Sequence, residues 1–93
     1  MRDETYTAHA AHRCQKRAIP EIAVDLVMKF GRIQRHKHGD VYSLDKKTKS
    51  SARSYLGPAI FKSLEYYLGI YVVVGNNGRI ITVAHRITRL KHA

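Results

Sequence analysis

The sequence predicts an α+β domain in which N-terminal helices pack on a small antiparallel β-sheet. Two runs rich in β-branched residues flank the turn sequence Gly75-Asn76-Asn77-Gly78, a pattern typical of an antiparallel hairpin. Upstream, the apolar residues between positions 21 and 30 recur with the period of a helix. Helices and strands therefore occupy separate stretches of the chain, which favours an α+β plan. Ninety-three residues supply one hydrophobic core, so we expect residues 1–93 to form a single domain.

Two helices are predicted before the first strand. The first covers residues 5–17, with Asp3, Glu4 or Thr5 as its N-cap, and its four-residue spacing places His9, Arg13 and Arg17 on one face. The second covers residues 21–30 and is bounded by Pro20 and Gly31. Its expected core-facing residues are Ile22, Ala23, Leu26, Val27 and Phe30.

The middle of the chain leaves alternatives open. Residues 32–45 alternate as two short strands, or as one strand interrupted by a turn at Gly39-Asp40. Residues 45–53 form either the exposed start of a helix or a mobile basic loop. A further helix is predicted beyond Gly57-Pro58, ending at Gly69. Its apolar stripe consists of Ile60, Phe61, Leu64, Tyr67 and Leu68.

The hairpin strands are predicted to form the centre of the sheet. The first is bulky on both sides, so we expect both of its faces to be covered. In the second, Ile81, Val83 and His85 share one face. The opposite face carries Ile80, Thr82, Ala84 and Arg86.

Charge gives the first indication of a binding partner. The 17 Lys and Arg residues against 7 Asp and Glu give a formal net charge of +10, and the usual counterpart of such an excess is a polyanion. RNA is the first partner that we expect, and an acidic protein is the second. Basic residues predicted to contact nucleic acid are Arg13, Arg17, Lys46, Lys47, Arg53 and Arg89. Charged runs are also common on surfaces that bind only water.

Several other classes of function are disfavoured. A single cysteine, Cys14, excludes an intramolecular disulfide and a cysteine-based zinc site. His36 and His38 have the spacing of a metal pair on a strand, but no third ligand lies nearby in the sequence, so we expect no metal and no cofactor. No apolar run approaches the length of a membrane span, and the N-terminus lacks the apolar segment of a signal peptide. We therefore expect a cytoplasmic protein with no membrane partner.

Short motifs along the chain resemble a group of bacterial toxins. They comprise His9-Ala10, Arg13, Arg17-Ala18-Ile19, Gly39-Asp40-Val41-Tyr42, Val72-Val73-Val74 and the segment from Ile81 to Arg86. With this pattern the chain resembles small uncharacterised bacterial proteins related to BrnT-like and RelE-like toxins. The resemblance implies helices on an antiparallel sheet, metal-independent cleavage of RNA and neutralisation by an acidic antitoxin. Carried over by position, it points to His9, Arg13, Arg17, His85 and Arg86. The basic segment at residues 46–62 has no counterpart in that pattern.

Metal-free cleavage of RNA requires groups that these residues supply. A base must take the 2′-hydroxyl proton, cations must stabilise the charged phosphorane, and an acid must protonate the leaving oxygen. Histidine suits both proton transfers at neutral pH, and arginine can bind two phosphate oxygens at once. We therefore predict His85, His9 and Arg86 as catalytic residues, with Tyr42 as a further candidate for proton transfer or base stacking.

Three alternatives compete with this hypothesis. His85 can instead end a buried strand with its ring bonded to the backbone. The whole protein can be a basic binder without catalysis, such as an inhibitor from a phage or mobile element that occupies a nucleic-acid site. It can also resemble ParE-like proteins, which inhibit a protein target without cutting RNA.

Overall fold

Four α-helices, one 3₁₀ helix and four β-strands form residues 5–86, the part of the chain that the computed structural model describes. Their order is α1 (Ala8–Lys16), α2 (Glu21–Phe30), β1 (Arg32–His36), β2 (Gly39–Ser43), α3 (Lys46–Leu56), α4 (Pro58–Leu64), the 3₁₀ helix (Glu65–Leu68), β3 (Ile70–Gly75) and β4 (Ile80–His85). The strands form one antiparallel sheet in the order β1-β2-β3-β4. The predicted α+β class and antiparallel sheet are confirmed.

The first helix starts later than predicted because the preceding residues pair with the sheet. Thr7 is the N-cap of α1, and its side-chain oxygen accepts a hydrogen bond from the Ala10 amide. Thr5, predicted as a possible cap, instead accepts a hydrogen bond from the Ile80 amide through its carbonyl, next to the parallel bridge between Tyr6 and Ile80. The other predicted caps, Asp3 and Glu4, lie outside the described residues. A long-range pairing thus replaces a local capping signal.

The second helix has the predicted bounds, but its inward face is rotated slightly from the prediction. Its fully buried side chains are Ala23, Val24, Leu26 and Val27. Ile22 was predicted to face the core, yet 49% of its surface is exposed. Gly31 ends the helix as expected, with its amide bonded to the Val27 carbonyl.

Residues 32–43 form two strands joined by the tight turn Lys37-His38. The alternative with a turn at Gly39-Asp40 is wrong, because both of these residues already belong to β2. Gly39 is required there since a Cβ atom would collide with the carbonyl oxygen of Val74 on the neighbouring strand. His38 lies in the turn, so His36 and His38 do not share one strand.

The basic segment after β2 is helical. Asp45 caps α3 by accepting a hydrogen bond from the Thr48 amide, and the Thr48 hydroxyl accepts one in return from the Asp45 amide. Beyond Gly57, the predicted stripe divides between α4 and the 3₁₀ helix, where Phe61 and Leu68 are buried. Ile60 was predicted on that stripe but is 54% exposed.

All four α-helices contribute to a single hydrophobic core on one face of the sheet. On that face Ile70, Val72 and Val74 are buried, whereas Tyr71 and Val73 on the other face are only half-buried. The prediction that β3 is covered on both faces is therefore wrong for residues 5–86. No helix in this part of the chain is long and apolar enough to span a membrane.

A register shift in the predicted hairpin moves one residue to the opposite face. Val73 pairs with Thr82 but Val74 pairs with Ile80, so Ile81 is an extra residue in β4. Ile80 consequently points into the core with Val83, whereas Ile81 is exposed. The prediction had assigned Ile80 to the face of Thr82, and this bulge is the reason that it was wrong.

Candidate functional site

The helix-free face of the sheet carries a polar row at one end. Arg32 pairs with Ser43, Ser43 pairs with Tyr71, and Tyr71 pairs with Ala84, so these four side chains lie side by side on one face. Arg86 follows Ala84 by two positions and continues the same face beyond the end of β4. The row brings arginines from the two outermost strands to the same end of the sheet.

Hydrogen bonds hold both arginines in place. The Arg86 amide donates to the Gly69 carbonyl, and its Nη1 donates to the Leu44 carbonyl at 3.0 Å. Arg32 Nη1 donates to Asp45 Oδ2 at 3.1 Å. Between them lies a cleft of about 250 Å³. Its lining residues are Arg32, Ile33, Gln34, Ser43, Asp45 and Arg86.

Two cations and one anion define the electrostatics of this cleft. Hydrogen bonds from the Thr48 amide and hydroxyl, with a smaller contribution from Arg32, lower the pKa of Asp45 to about 2. Asp45 is therefore ionised at neutral pH and balances one of the two guanidinium groups. The remaining positive charge, together with the Ser43 hydroxyl and the Gln34 amide, suits an anionic oxygen ligand such as phosphate.

His85 faces away from this cleft. It pairs with Ile70, whose side chain belongs to the core, so the imidazole lies on the helix-packed face while Arg86 lies on the other. The ring centroid of His85 is 5.6 Å from that of Tyr66, whose surface is 75% exposed. His85 and Arg86 are adjacent in sequence, but they lie on opposite faces of the sheet and do not contribute to one surface.

The predicted basic residues of α1 lie on the same side of the sheet as His85. The segment before α1 pairs with the start of β4 through the parallel bridge between Tyr6 and Ile80, and α1 itself packs chiefly against β4. His9, Arg13 and Arg17 are thus carried by a helix that contacts the strand ending at His85. Within residues 5–86, no hydrogen bond or ion pair links these three side chains to His85 or Arg86.

Cys14, also on α1, is a poor nucleophile. It is half-buried, and burial with the nearby Glu21 charge raises the pKa of its thiol. The thiolate that would attack a substrate is therefore disfavoured at neutral pH.

The remaining predicted residues fall elsewhere. Lys46, Lys47 and Arg53 are exposed on α3, and none of them has an ion pair with a described residue. Tyr42 pairs with Val72 and packs against the core on the helix-packed face. Arg89 lies outside the described residues. Among residues 5–86, no three His, Cys, Asp or Glu side chains lie close enough together to hold a metal ion.

Sequence reasoning missed Arg32, Gln34 and Ser43. The alternation in β1 and β2 was a usable signal, since it separates Arg32 and Gln34 from Ile33 and Arg35. Their proximity to Arg86 depends on the register of three strand pairs, which no local pattern specifies.

In comparisons with known proteins, no family model, no curated protein and no solved structure matches this chain.

Proposed function

We propose that this protein binds single-stranded RNA on the helix-free face of its sheet. The observation that carries the proposal is the convergence of Arg32 and Arg86 on one cleft from opposite edges of the sheet. Each guanidinium can contact two oxygens of a phosphate, and backbone hydrogen bonds at Arg86 reduce the entropy lost on binding. The excess of positive charge over the whole chain would attract the strand.

Tyr71 offers a stacking surface for a base next to these phosphates. It lies between Ser43 and Ala84 in the polar row and is half-buried, so part of its surface is open to solvent. Stacking on an aromatic side chain contributes about 1–3 kcal/mol per base and tolerates any base. Single-stranded RNA exposes both the phosphates and the base faces that this arrangement requires.

A second candidate function is cleavage of the bound RNA, as in a toxin-like metal-independent endoribonuclease. It is favoured by the position of His85 at the end of β4, beside the exposed ring of Tyr66 and on the strand against which the basic helix α1 packs. There His85 would take the 2′-hydroxyl proton, the 2′ oxygen would attack phosphorus, and the 5′ oxygen would leave with a proton from His9 or water. Arg13 and Arg17 would stabilise the phosphorane, whereas Arg86 would bind the strand on the other face.

The toxin hypothesis also implies an acidic protein partner and a cytoplasmic location. An acidic antitoxin would neutralise the same positive surface that RNA uses, so the two ligands would compete. The resemblance noted in the sequence is the support for this part of the proposal.

Substitution of the cleft arginines tests binding. We expect Arg32→Gln and Arg86→Gln each to weaken binding of a fluorescent single-stranded RNA in EDTA about three- to fivefold, because each removes a phosphate contact. Arg35→Gln is the matched control, since it removes the same charge from the same strand but on the other face. Equal losses in all three variants, or no binding by the wild-type protein, would reject the cleft.

The same RNA separates binding from cleavage. If the protein is a nuclease, His85→Gln should lower the cleavage rate by roughly 10²–10⁴-fold with unchanged affinity. Intact RNA after prolonged incubation with wild-type protein that binds it would instead assign a purely binding role.

A further inference from the structure

A second basic recess lies between α3 and α4. One part of it, about 250 Å³ in volume, is lined by Lys46, Lys49, Ser50, Arg53, Phe61 and Glu65. A neighbouring part of about 310 Å³ adds Pro58 and Lys62 and shares Arg53, Phe61 and Glu65. Together these two parts form the α3–α4 groove, which has four cationic side chains, one carboxylate and a buried aromatic floor.

Three of the cations follow one side of α3. Lys46, Lys49 and Arg53 are three and four residues apart, so they project from the same side of the helix over an axial rise of about 10 Å. The side chains of these three residues form no hydrogen bond or ion pair with another described residue. A row of cations without ion pairs, at intervals of about one helical turn, is suited to a chain of phosphates.

The next residue along α3 provides a contrast. Lys47 is about 100° around the helix from Lys46, and it lines neither part of the groove. It is exposed and unpaired among the described residues, like Lys46. Net charge alone therefore does not distinguish Lys47 from the groove lysines, but position does. Of the α3 residues predicted to contact nucleic acid, the groove includes Lys46 and Arg53 and leaves Lys47 out.

The groove and the sheet cleft are lined by consecutive residues of the chain. Asp45 lines the cleft and Lys46, the following residue, lines the groove. We propose that the α3–α4 groove is a second backbone-binding site for RNA, which continues the path of a strand held at Arg32 and Arg86. This inference rests on the proposed function and extends it to a site with no counterpart in the toxin pattern.

A continuous path predicts that affinity depends on the length of the RNA. A trinucleotide occupies only the cleft, whereas a dodecanucleotide also reaches Lys46, Lys49 and Arg53. Each phosphate contact releases counterions and contributes about 0.7 to the slope of log affinity against log salt for a single strand.

The experiment compares the double variant Lys49→Gln/Arg53→Gln with Lys47→Gln in the full chain. For a dodecanucleotide, we expect the double variant to bind about 10-fold more weakly and to lose about 1.4 from the salt slope. Trinucleotide affinity should stay within about twofold of wild type, and Lys47→Gln should change either affinity by no more than about twofold. Circular dichroism spectra are the control for folding, and we expect each variant to keep the helix content of the wild-type protein.

Each other outcome has a defined meaning. The groove would be rejected as an RNA site if the double variant lowered the affinity for both RNA lengths equally. It would also be rejected if Lys47→Gln lowered the affinity as much per charge removed. Either result would leave the proposal for the sheet cleft intact. If polyglutamate of matched charge bound more tightly than RNA and lost the same affinity in the double variant, the groove would be assigned to an acidic protein instead. Absence of RNA binding by wild-type protein would reject both the cleft and the groove.

Discussion

Asp45 connects three parts of the molecule through one carboxylate. It caps α3, accepts a hydrogen bond from Arg32 and lines the cleft that Arg86 completes. Because the capping bonds stabilise the ionised form, the pKa of Asp45 falls from an ordinary value of 3.8 to about 2. The same charge that orders the helix therefore also reduces the positive charge of the cleft.

The lowered pKa predicts a contribution to stability that depends on pH. Since the folded-state pKa is below the unfolded one, the contribution is complete above about pH 4 and is lost as the pH falls towards 2. Asp45→Asn keeps a good N-cap residue but removes this titration. We expect the difference in Tm between wild type and Asp45→Asn to shrink between pH 5 and pH 2, as measured by thermal unfolding. A difference that stays constant over this range would contradict the assignment.

Residue patterns predicted which side chains share a strand face but not which strands meet. The placement of His85 and Arg86 on opposite faces follows from alternation, as does that of Val83 with His85, yet both residues were predicted to serve one catalytic site. The face on which Ile80 lies was predicted wrongly, because a bulge depends on how two strands fit together. The cleft at Arg32 required the same long-range information.

At the scale of elements, the end of α1 contains a strained residue. Ala18 has φ of 53°, a left-handed conformation that L-residues other than glycine rarely adopt. The Ile19 amide bonds the Cys14 carbonyl and the Ala18 amide bonds the Gln15 carbonyl, which is the hydrogen-bond pattern of a Schellman motif. Glycine is the residue that this position favours.

Replacement of Ala18 should therefore stabilise the protein. We expect Ala18→Gly to raise the free energy of unfolding by about 1 kcal/mol, measured by urea denaturation. Ala11→Gly is the control, because Ala11 lies exposed within α1 and glycine there should destabilise by about 1 kcal/mol. Destabilisation by both changes would show that the left-handed conformation is not maintained in solution.

Elements with strong local signals were predicted well. The hairpin around residues 75–78 and the bounds of α2 follow from turn chemistry and apolar periodicity. The start of α1 was wrong because residues 5–7 pair with β4, and the nature of residues 46–53 was left open since their apolar content is low. A contact with a distant part of the chain decides the start of α1, whereas α3 begins at a local signal, the Asp45–Thr48 capping box.

For the whole molecule, the net charge of +10 acts on stability and on binding in opposite directions. Salt screens repulsion between the protein's own cations, so it should stabilise the fold, but it also weakens contacts with a polyanion. We expect Tm in the absence of RNA to rise by roughly 5 °C between 0.05 and 0.5 M NaCl, which corresponds to about 1 kcal/mol for a domain of this size.

Scanning calorimetry at several salt concentrations checks this expectation. Lys16→Gln and Lys47→Gln remove exposed charges, and each should raise Tm at low salt with a gain that disappears at high salt. A Tm that falls as salt increases would show that attractive surface ion pairs outweigh the repulsion.

The sheet has one sheltered margin and one bare margin. Residues 5–7 run along the start of β4, whereas no strand within residues 5–86 pairs with the outer side of β1, all five of whose residues are exposed. This strand carries a charged side chain on each face, Arg32 and Arg35, which form ion pairs with Asp45 and Asp40. Charged side chains on an edge strand oppose self-association into longer sheets, and this protection weakens when the arginines are neutralised or the ionic strength is high.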